Sequence, residues 1–402
     1  MQITQAVILA GGQGARLKPF TKNNPKPMVP VNGKPFLEYL IDLLKENGIK
    51  EVIILTGYFG EKIKKYFGNG SRFGIDIKYS YTPFLDEKGE ENESGLRLKN
   101  SESLLHNFFL LLYCDNYWPL NLNKLTAYFN NHRSDILVTV YSNIDHSTKN
   151  NTLVNENGFV SKYDKGRKDK NLNGVDIGFF IINKEVLNLL PEGNCKFESI
   201  VLPKLIQQTK LSGYLTDQKY YSIGNIARVK LTEKFLSPKK VIFLDRDGVI
   251  NKKPAQANYI KKWEEFTFLP GVINAIKLLN NNGFKIFIIS NQAGIARKVM
   301  TEKNLHAIHK NMQTELKAHG AKIDGIYYCP HGWNEDCQCR KPKPGMLLKA
   351  SREHFIDLRQ TLFIGDSERD KEAGKAVDCG TILVSEKNNF LKVVKQIVHN
   401  IK

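Results

Sequence analysis

The chain has 402 residues, 41% of them hydrophobic and 25% charged, a profile of folded globular protein with room for two or three cores, which excludes a disordered or fibrous chain. Lys and Arg outnumber Asp and Glu by 59 to 41, a formal charge of +18, yet the basic residues are scattered in no dense run, which points to solvated surface and phosphorylated small molecules and away from nucleic acid. No apolar run, Phe108–Tyr113 included, is long enough to span a bilayer and no basic-then-apolar leader opens the chain, so a cytoplasmic protein without a membrane partner is expected.

Ala6–Ala10 is a short apolar strand that runs straight into Gly11-Gly12-Gln13-Gly14-Ala15-Arg16-Leu17. Glycines at a strand end let backbone amides wrap a phosphate chain, and an arginine can fork onto its oxygens. Alone, such a loop is weak evidence. Here it is followed by Asn24-Pro25-Lys26-Pro27, by Phe36, Leu37, Leu40, Ile41 and Leu44 at helical spacing, and by the strand Val52–Leu55. The alternation predicts an α/β fold with a doubly wound parallel sheet. Phe109–Tyr113 reads as a further strand with Asp115 just past its end, and the polar stretches 86–92 and 162–173 read as mobile loops. Ser237–Lys240 reads as a linker, giving domains over 1–236 and 241–402.

The first half resembles the sugar-1-phosphate nucleotidyltransferases, through the glycine loop with Arg16-Leu17, then Pro25-Lys26-Pro27, and weakly on to about residue 235. The resemblance implies a second fold assignment consistent with the first, Rossmann-like and doubly wound. It also implies that Gly11, Gly12, Gly14 and Arg16 hold a nucleoside triphosphate, GTP favoured, with Lys26 at its phosphates and Asp115 on Mg2+. Asp176 and Glu198 face the sugar or stand as solvated acids. Two departures stand out: Ser222 where relatives carry a second acidic metal ligand, and Asn92-Glu93-Ser94-Gly95 where they carry a glycine-rich segment over the base. The alternative to an active transferase is a noncatalytic sugar-nucleotide-binding domain.

Val241–Leu244 is a four-residue apolar run, the length of a buried strand, and it empties into Asp245-Arg246-Asp247-Gly248. Residues two apart on a strand point the same way, so Asp245 and Asp247 can project together beyond it. Lys285–Ile289 closes on Ser290-Asn291-Gln292, and Leu362–Ile364 closes on Gly365-Asp366 with Asp370 four residues further on. Three strands would then present Asp, Ser and Asp at one edge. Asp370 reads equally as a site acid and as an acid in the first turn of a helix.

This pattern resembles the haloacid dehalogenase-like phosphatases over nearly all of 240–385. The resemblance implies Asp245 as nucleophile, Asp247 as acid and base, and Ser290 and Lys341 on the transferring phosphoryl group. Mg2+ would lie on Asp245, Asp366 and the backbone carbonyl of Asp247. Between these strands, Cys329, His331, Cys337 and Cys339 form a CxH and CxC pair five residues apart, the donor set of a closed tetrahedral Zn2+ site. Cys114, Cys195 and Cys379 stand apart from it. Together with Arg340-Lys341-Pro342-Lys343-Pro344-Gly345-Met346, the zinc loop resembles the D-glycero-D-manno-heptose 1,7-bisphosphate 7-phosphatases, and less closely the histidinol-phosphate phosphatases. Asn291, Arg297 and Arg340 are the expected substrate contacts, with Arg297 reading equally as an exposed helix arginine. A phosphatase that leaves heptose 1-phosphate, joined to a transferase that uses a sugar 1-phosphate, implies one bifunctional enzyme of nucleotide-activated heptose synthesis, acting on phosphorylated heptose and a nucleoside triphosphate.

Overall fold

The computed structural model describes residues 1–255 and 258–400. The chain forms two compact units, Met1–Lys234 and Phe235–Lys402. Among the described residues no helix is long and apolar enough to cross a membrane.

The first unit is built on a seven-stranded sheet, in the order Leu211–Thr216, Ile136–Tyr141, Val175–Asn183, Phe108–Tyr113, Gln5–Ala10, Glu51–Thr56 and Asp76–Tyr81. Gln5–Ala10 runs parallel to both neighbours, Ala6 opposite Val52 on one side and Leu110 on the other. Burial on both faces explains why these strands read as continuous apolar runs, and Ala6, Val7, Ile8 and Leu110–Leu112 are all fully buried. The sheet departs from the all-parallel expectation in one strand: Val175–Asn183 is antiparallel to Phe108–Tyr113 and to Ile136–Tyr141. An apolar run buried on both faces has no sequence mark of direction, so only the assembled sheet reveals it. The stretch 162–173 also begins inside a strand, because Val160–Tyr163 pairs with Thr152–Val154 as a separate two-stranded ribbon.

The second unit holds a five-stranded sheet in the order Gly325–Cys329, Lys285–Asn291, Val241–Leu244, Leu362–Gly365 and Gly380–Leu383, every pair parallel. Val241–Leu244 lies at its centre, with Leu244 opposite Ile288 on one side and Ile364 on the other. That register brings Asp245, Ser290 and Asp366 to one carboxyl edge, where ligands bind in open α/β sheets. Helices Val272–Asn281 and Phe390–His399 bury Val272, Ala275, Ile276, Phe390, Val393 and Val394 against one face. Helix Gly345–His354 buries Met346, Leu347 and Ala350 against the other.

Candidate active sites

At the carboxyl edge of the second sheet, Asp245 is buried and its backbone N–H donates to Ile364 O at 2.9 Å. Its Oδ1 accepts from Arg246 N at 2.7 Å and lies 2.9 Å from Lys341 Nζ. The same lysine, 3% exposed, reaches Asp370 Oδ1 at 2.6 Å and donates to Ile289 O at 2.9 Å. Burial pushes Asp245 up to about 7, opposed by Lys341 and reinforced by Asp370 and Asp247. Burial alone would lower the lysine, but the two carboxylates outweigh it and hold it as a cation above its ordinary range.

Asp247 has different surroundings. Arg246 forks onto it, Nη2 at 2.9 Å from Oδ1 and 3.0 Å from Oδ2, while Asn251 Nδ2 donates to Oδ1 at 2.9 Å and Gln292 Nε2 to Oδ2 at 3.0 Å. Burial raises its pKa, yet the Arg246 charge and these donors hold the carboxyl below its ordinary value. Arg246 is itself almost wholly buried, and its Nη1 meets His309 Nε2 at 3.3 Å. Burial, then the charge of Arg246, pushes His309 down to about 3, so the imidazole accepts from the guanidinium as a neutral ring. The Gln292 amide that reaches Asp247 also donates to Ser290 Oγ at 2.8 Å, tying two of the expected site residues together.

Asp366 and Asp370 complete the edge. One ligand oxygen from each of Asp245, Asp366 and Asp370 lies within 4.8 Å of the others. Lys341 bridges two of these acids, and the exposed Lys253 reaches Asp366 Oδ2 at 2.6 Å. A largely buried group of three carboxylate oxygens is a hard donor set of the kind Mg2+ takes, with water or phosphate filling its octahedron. The Asp247 carboxylate is not in this group: it is turned into Arg246, Asn251 and Gln292, so only its backbone carbonyl, the atom expected on a cation, is left for that role. Asp370 fills both roles weighed for it, with different oxygens. Its Oδ2 accepts from Ser367 N at 3.0 Å in a capping box at the start of helix Glu368–Ala376, and its Oδ1 meets Lys341. Gly248 is required here, because its φ is +96° and a Cβ would fall 2.0 Å from Asp366 Oδ2.

The sulfur and nitrogen ligands of the cysteine loop converge. Cys329 Sγ lies 3.6 Å from Cys337 Sγ and from His331 Nδ1, and His331 Nδ1 lies 3.2 Å from Cys339 Sγ. Two sulfurs about 2.3 Å from a shared tetrahedral centre stand about 3.8 Å apart, so the residues present fit Zn2+. The loop holds the segment after Ser290 by backbone contacts: Cys329 O accepts from Gln292 N at 2.8 Å, and Pro330 O from Ala296 N at 3.2 Å. Asn291, expected on substrate, has its amide in a reciprocal pair with the Lys341 backbone, at 3.1 and 3.0 Å. Arg297 lies over the rings of Trp333 and Tyr259. Arg340 donates to His331 O at 3.4 Å and lines, with Trp333, Lys343 and Arg369, a cavity of about 590 Å³ that reaches Lys341.

In the first unit the glycine loop follows strand Gln5–Ala10. Gly14 has φ +67°, and a Cβ there would press on the Lys26 side chain at 2.9 Å. A Cβ at Gly11 would meet the Arg97 guanidinium at 2.4 Å, whereas at Gly12 it would find only Glu91, at 3.8 Å. Arg97 is buried and donates to Thr56 O, Thr82 O, Asn92 O and Pro83 O, bracing the loop from beneath. Lys26 is ion-paired with Asp115. Glu93 turns to Lys196 at 3.1 Å, and the Ser94 hydroxyl donates to Glu198 at 3.1 Å. Arg16, Asp115, Asp176, Glu198 and Ser222 share one cavity of about 620 Å³. Burial pushes Asp176 up to about 7 against hydrogen bonds from Gly178 N–H and Tyr163.

Arg97, Arg246, His309 and Gln292 were not among the expected residues. Arg246 stands beside Asp247 and Gln292 two residues past Ser290, so nearness to a motif was the available signal. Arg97 and His309 carried none.

Residues 5–237 match the family model described as nucleotidyl transferase, and residues 240–395 the one described as polynucleotide kinase 3 phosphatase. The D-glycero-alpha-D-manno-heptose-1,7-bisphosphate 7-phosphatase of Campylobacter jejuni is 43% identical over 148 residues, 37% of this chain and 83% of that protein. The beta-form enzyme of Helicobacter pylori is 38% identical over 159 residues, 39% of this chain and 86% of that protein. The crystal structure of a D,D-heptose 1,7-bisphosphate phosphatase from B. bronchiseptica, complexed with magnesium and phosphate, is 32% identical, covering 40% of this chain and 99% of its own, with a TM-score of 0.38.

Proposed function

Because this chain belongs to the nucleotidyl transferase family through its first unit and to the D-glycero-D-manno-heptose-1,7-bisphosphate 7-phosphatases through its second, we propose that it hydrolyses the 7-phosphate of heptose bisphosphate and transfers a nucleotidyl group to the heptose 1-phosphate that remains. The observation that carries the first step is Lys341, buried between Asp245 and Asp370 at the edge that also holds Ser290 and Asp366.

The Asp245 Oδ1 is engaged by Lys341 and Arg246 N–H, so we assign the attack on phosphorus to Oδ2. The P–O7 bond breaks, the sugar oxygen takes a proton from Asp247, and an aspartyl phosphate forms. Asp247 then draws a proton from water, whose oxygen attacks the same phosphorus, releasing phosphate and restoring Asp245. Arg246, Asn251 and Gln292 favour the carboxylate of Asp247, the form that activates water. The acid form is gained when the phosphate dianion arrives beside it. Ser290 and Lys341 orient the transferring oxygens. A divalent cation held by Asp245, Asp366 and the Asp247 carbonyl would screen the dianion from the attacking carboxylate, and zinc on four ligands would order the loop that carries Arg340 and Lys341. Arg340 and Arg297 would contact the rest of the substrate.

In the first unit, Gly11, Gly12, Gly14, Arg16 and Lys26 would hold the nucleoside triphosphate, with GTP the donor we favour. An oxygen of the sugar 1-phosphate attacks the α-phosphorus and pyrophosphate leaves; positioning and charge neutralisation carry such a reaction. The pairing of units supports this reading, since the product of one step is the acceptor of the next. The test is phosphate release from heptose 1,7-bisphosphate with Mg2+, followed by pyrophosphate release from heptose 1-phosphate with GTP, ATP and CTP in turn. Faster cleavage of histidinol phosphate than of the heptose substrate would overturn the first assignment. Absence of pyrophosphate with every nucleotide would overturn the second.

A further inference from the structure

The cavity of the first unit has the wrong charge for a divalent cation held between two carboxylates. The implied second ligand position is Ser222, and its Oγ accepts from Arg228 Nη1 at 3.1 Å. The implied first ligand, Asp115, is already ion-paired with Lys26. A dication placed between 115 and 222 would therefore meet one carboxylate, one neutral hydroxyl and two cationic side chains. That donor set does not fit it.

It fits an anion. Arg228 Nη2 lies 3.5 Å from Thr148 Oγ1, and Arg167 Nη1 lies 3.1 Å from the same oxygen while donating to Lys149 O at 2.7 Å. Two guanidinium groups thus meet at a single neutral hydroxyl, and the partners they find there are hydroxyls and a carbonyl. The acids of the cavity are engaged elsewhere: Glu198 by Tyr113 and by Lys165 at 3.7 Å, Asp176 by Tyr163 and the Gly178 N–H. Like charges converging without a counterion repel, and a phosphoryl group relieves that repulsion while accepting from both forks.

Position in the sheet indicates which phosphate. The glycine loop leaves strand Gln5–Ala10, whereas Thr148 follows strand Ile136–Tyr141, three places along the sheet. At about 4.8 Å per strand that is roughly 14 Å, the far side of a cavity whose near side carries Arg16. The donor triphosphate belongs at the glycine loop and the acceptor at the arginine pair.

We propose that Arg167 and Arg228, with the hydroxyls of Thr148 and Ser222, bind the phosphoryl group of the sugar 1-phosphate acceptor, and that this unit takes its acceptor through guanidinium charge without a divalent cation. The identity of the acceptor rests on the nucleotidyl transfer reading; the anion site does not. During transfer the guanidinium groups would stay protonated, while the acceptor oxygen forms the new bond to the α-phosphorus and the bond to the leaving pyrophosphate breaks.

The test is calorimetric titration of the full chain with heptose 1-phosphate, in buffer freed of Mg2+ by resin, so that zinc is left in place, and again at saturating Mg2+. Affinities within about threefold of each other are expected. Arg228→Ala and Arg167→Ala should each weaken Mg2+-free binding at least tenfold, with Arg228→Lys in between. Arg167 is on a loop, so its replacement tests the site even if Arg228→Ala fails to fold. Ser222→Asp should weaken Mg2+-free binding tenfold by neutralising Arg228. Binding that requires Mg2+, or that is unchanged in both alanine variants, overturns the proposal. If the parent binds as expected yet releases no pyrophosphate with any nucleotide, the transfer reading fails and the anion site stands.

Discussion

Two neighbours of the phosphatase motif allow its roles to be separated one residue at a time. Asp245→Asn removes the carboxylate proposed to attack and should lower turnover of heptose bisphosphate on the order of 10³-fold or more with substrate binding retained, which a steady-state phosphate-release assay reads directly. Gln292→Leu removes the amide shared by Asp247 and Ser290. A drop in kcat of about tenfold with KM little changed is expected, and Gln292→Asn should not restore it, because the shorter side chain cannot span both partners. Gly248→Ala sets a Cβ against Asp366 in a backbone conformation that disfavours it. Strain of about 1–3 kcal/mol and a higher Mg2+ concentration for half-maximal activity should follow together, measured by denaturant melts and Mg2+ titration. At this scale much of the second site was legible in the sequence, because Asp245, Asp247, Ser290 and Asp366 each sit at a strand end where spacing alone sets direction. His309 and Arg97 were not: each lies on a helix, Glu302–Ala318 and Ser94–Asn100, far along the chain from the group it serves.

The zinc loop and the helix after Asp366 set the positions of the cations. Zinc would tie Cys329 to Cys339, and the segments on either side grip Gln292, Ala296 and the Lys341 backbone. Cys337→Ser should therefore lower both zinc content, read by atomic absorption, and the melting temperature of the second unit, with phosphatase activity lost as Lys341 loses its anchor. Site energies of about 10 kcal/mol or more leave room for a large effect. Asp370→Ala removes the N3 carboxylate of the capping box begun by Ser367, worth about 1 kcal/mol, and leaves Lys341 with one carboxylate in place of two. Activity should fall more than stability. The loop announced itself through ligand spacing. Its grip on the neighbouring strand did not, since backbone hydrogen bonds are independent of side-chain identity. The same limit hid the direction of Val175–Asn183, whose apolar run is equally compatible with either orientation.

Across the whole molecule, each unit has a sheet and a buried core of its own. Calorimetry of the intact protein should show one transition that moves down on zinc removal and one that does not. The doubly wound class and the division into two chemistries were readable from the strand and helix alternation, and the family matches agree with both. The charge of the first cavity was not readable, because Thr148, Arg167, Ser222 and Arg228 become neighbours only in the folded sheet. The all-parallel sheet of the second unit also has a consequence for synthesis. Its central strand leads into Asp245, the proposed nucleophile, yet one flanking strand, Leu362–Gly365, and the acid that steadies Lys341 arrive only after nearly the whole unit has been made. Parallel pairing of such distant segments is slow. On the ribosome, then, the first unit has all its strands long before the second can close, and a nascent chain halted before Asp370 would carry a folded nucleotide domain beside a phosphatase with no working edge.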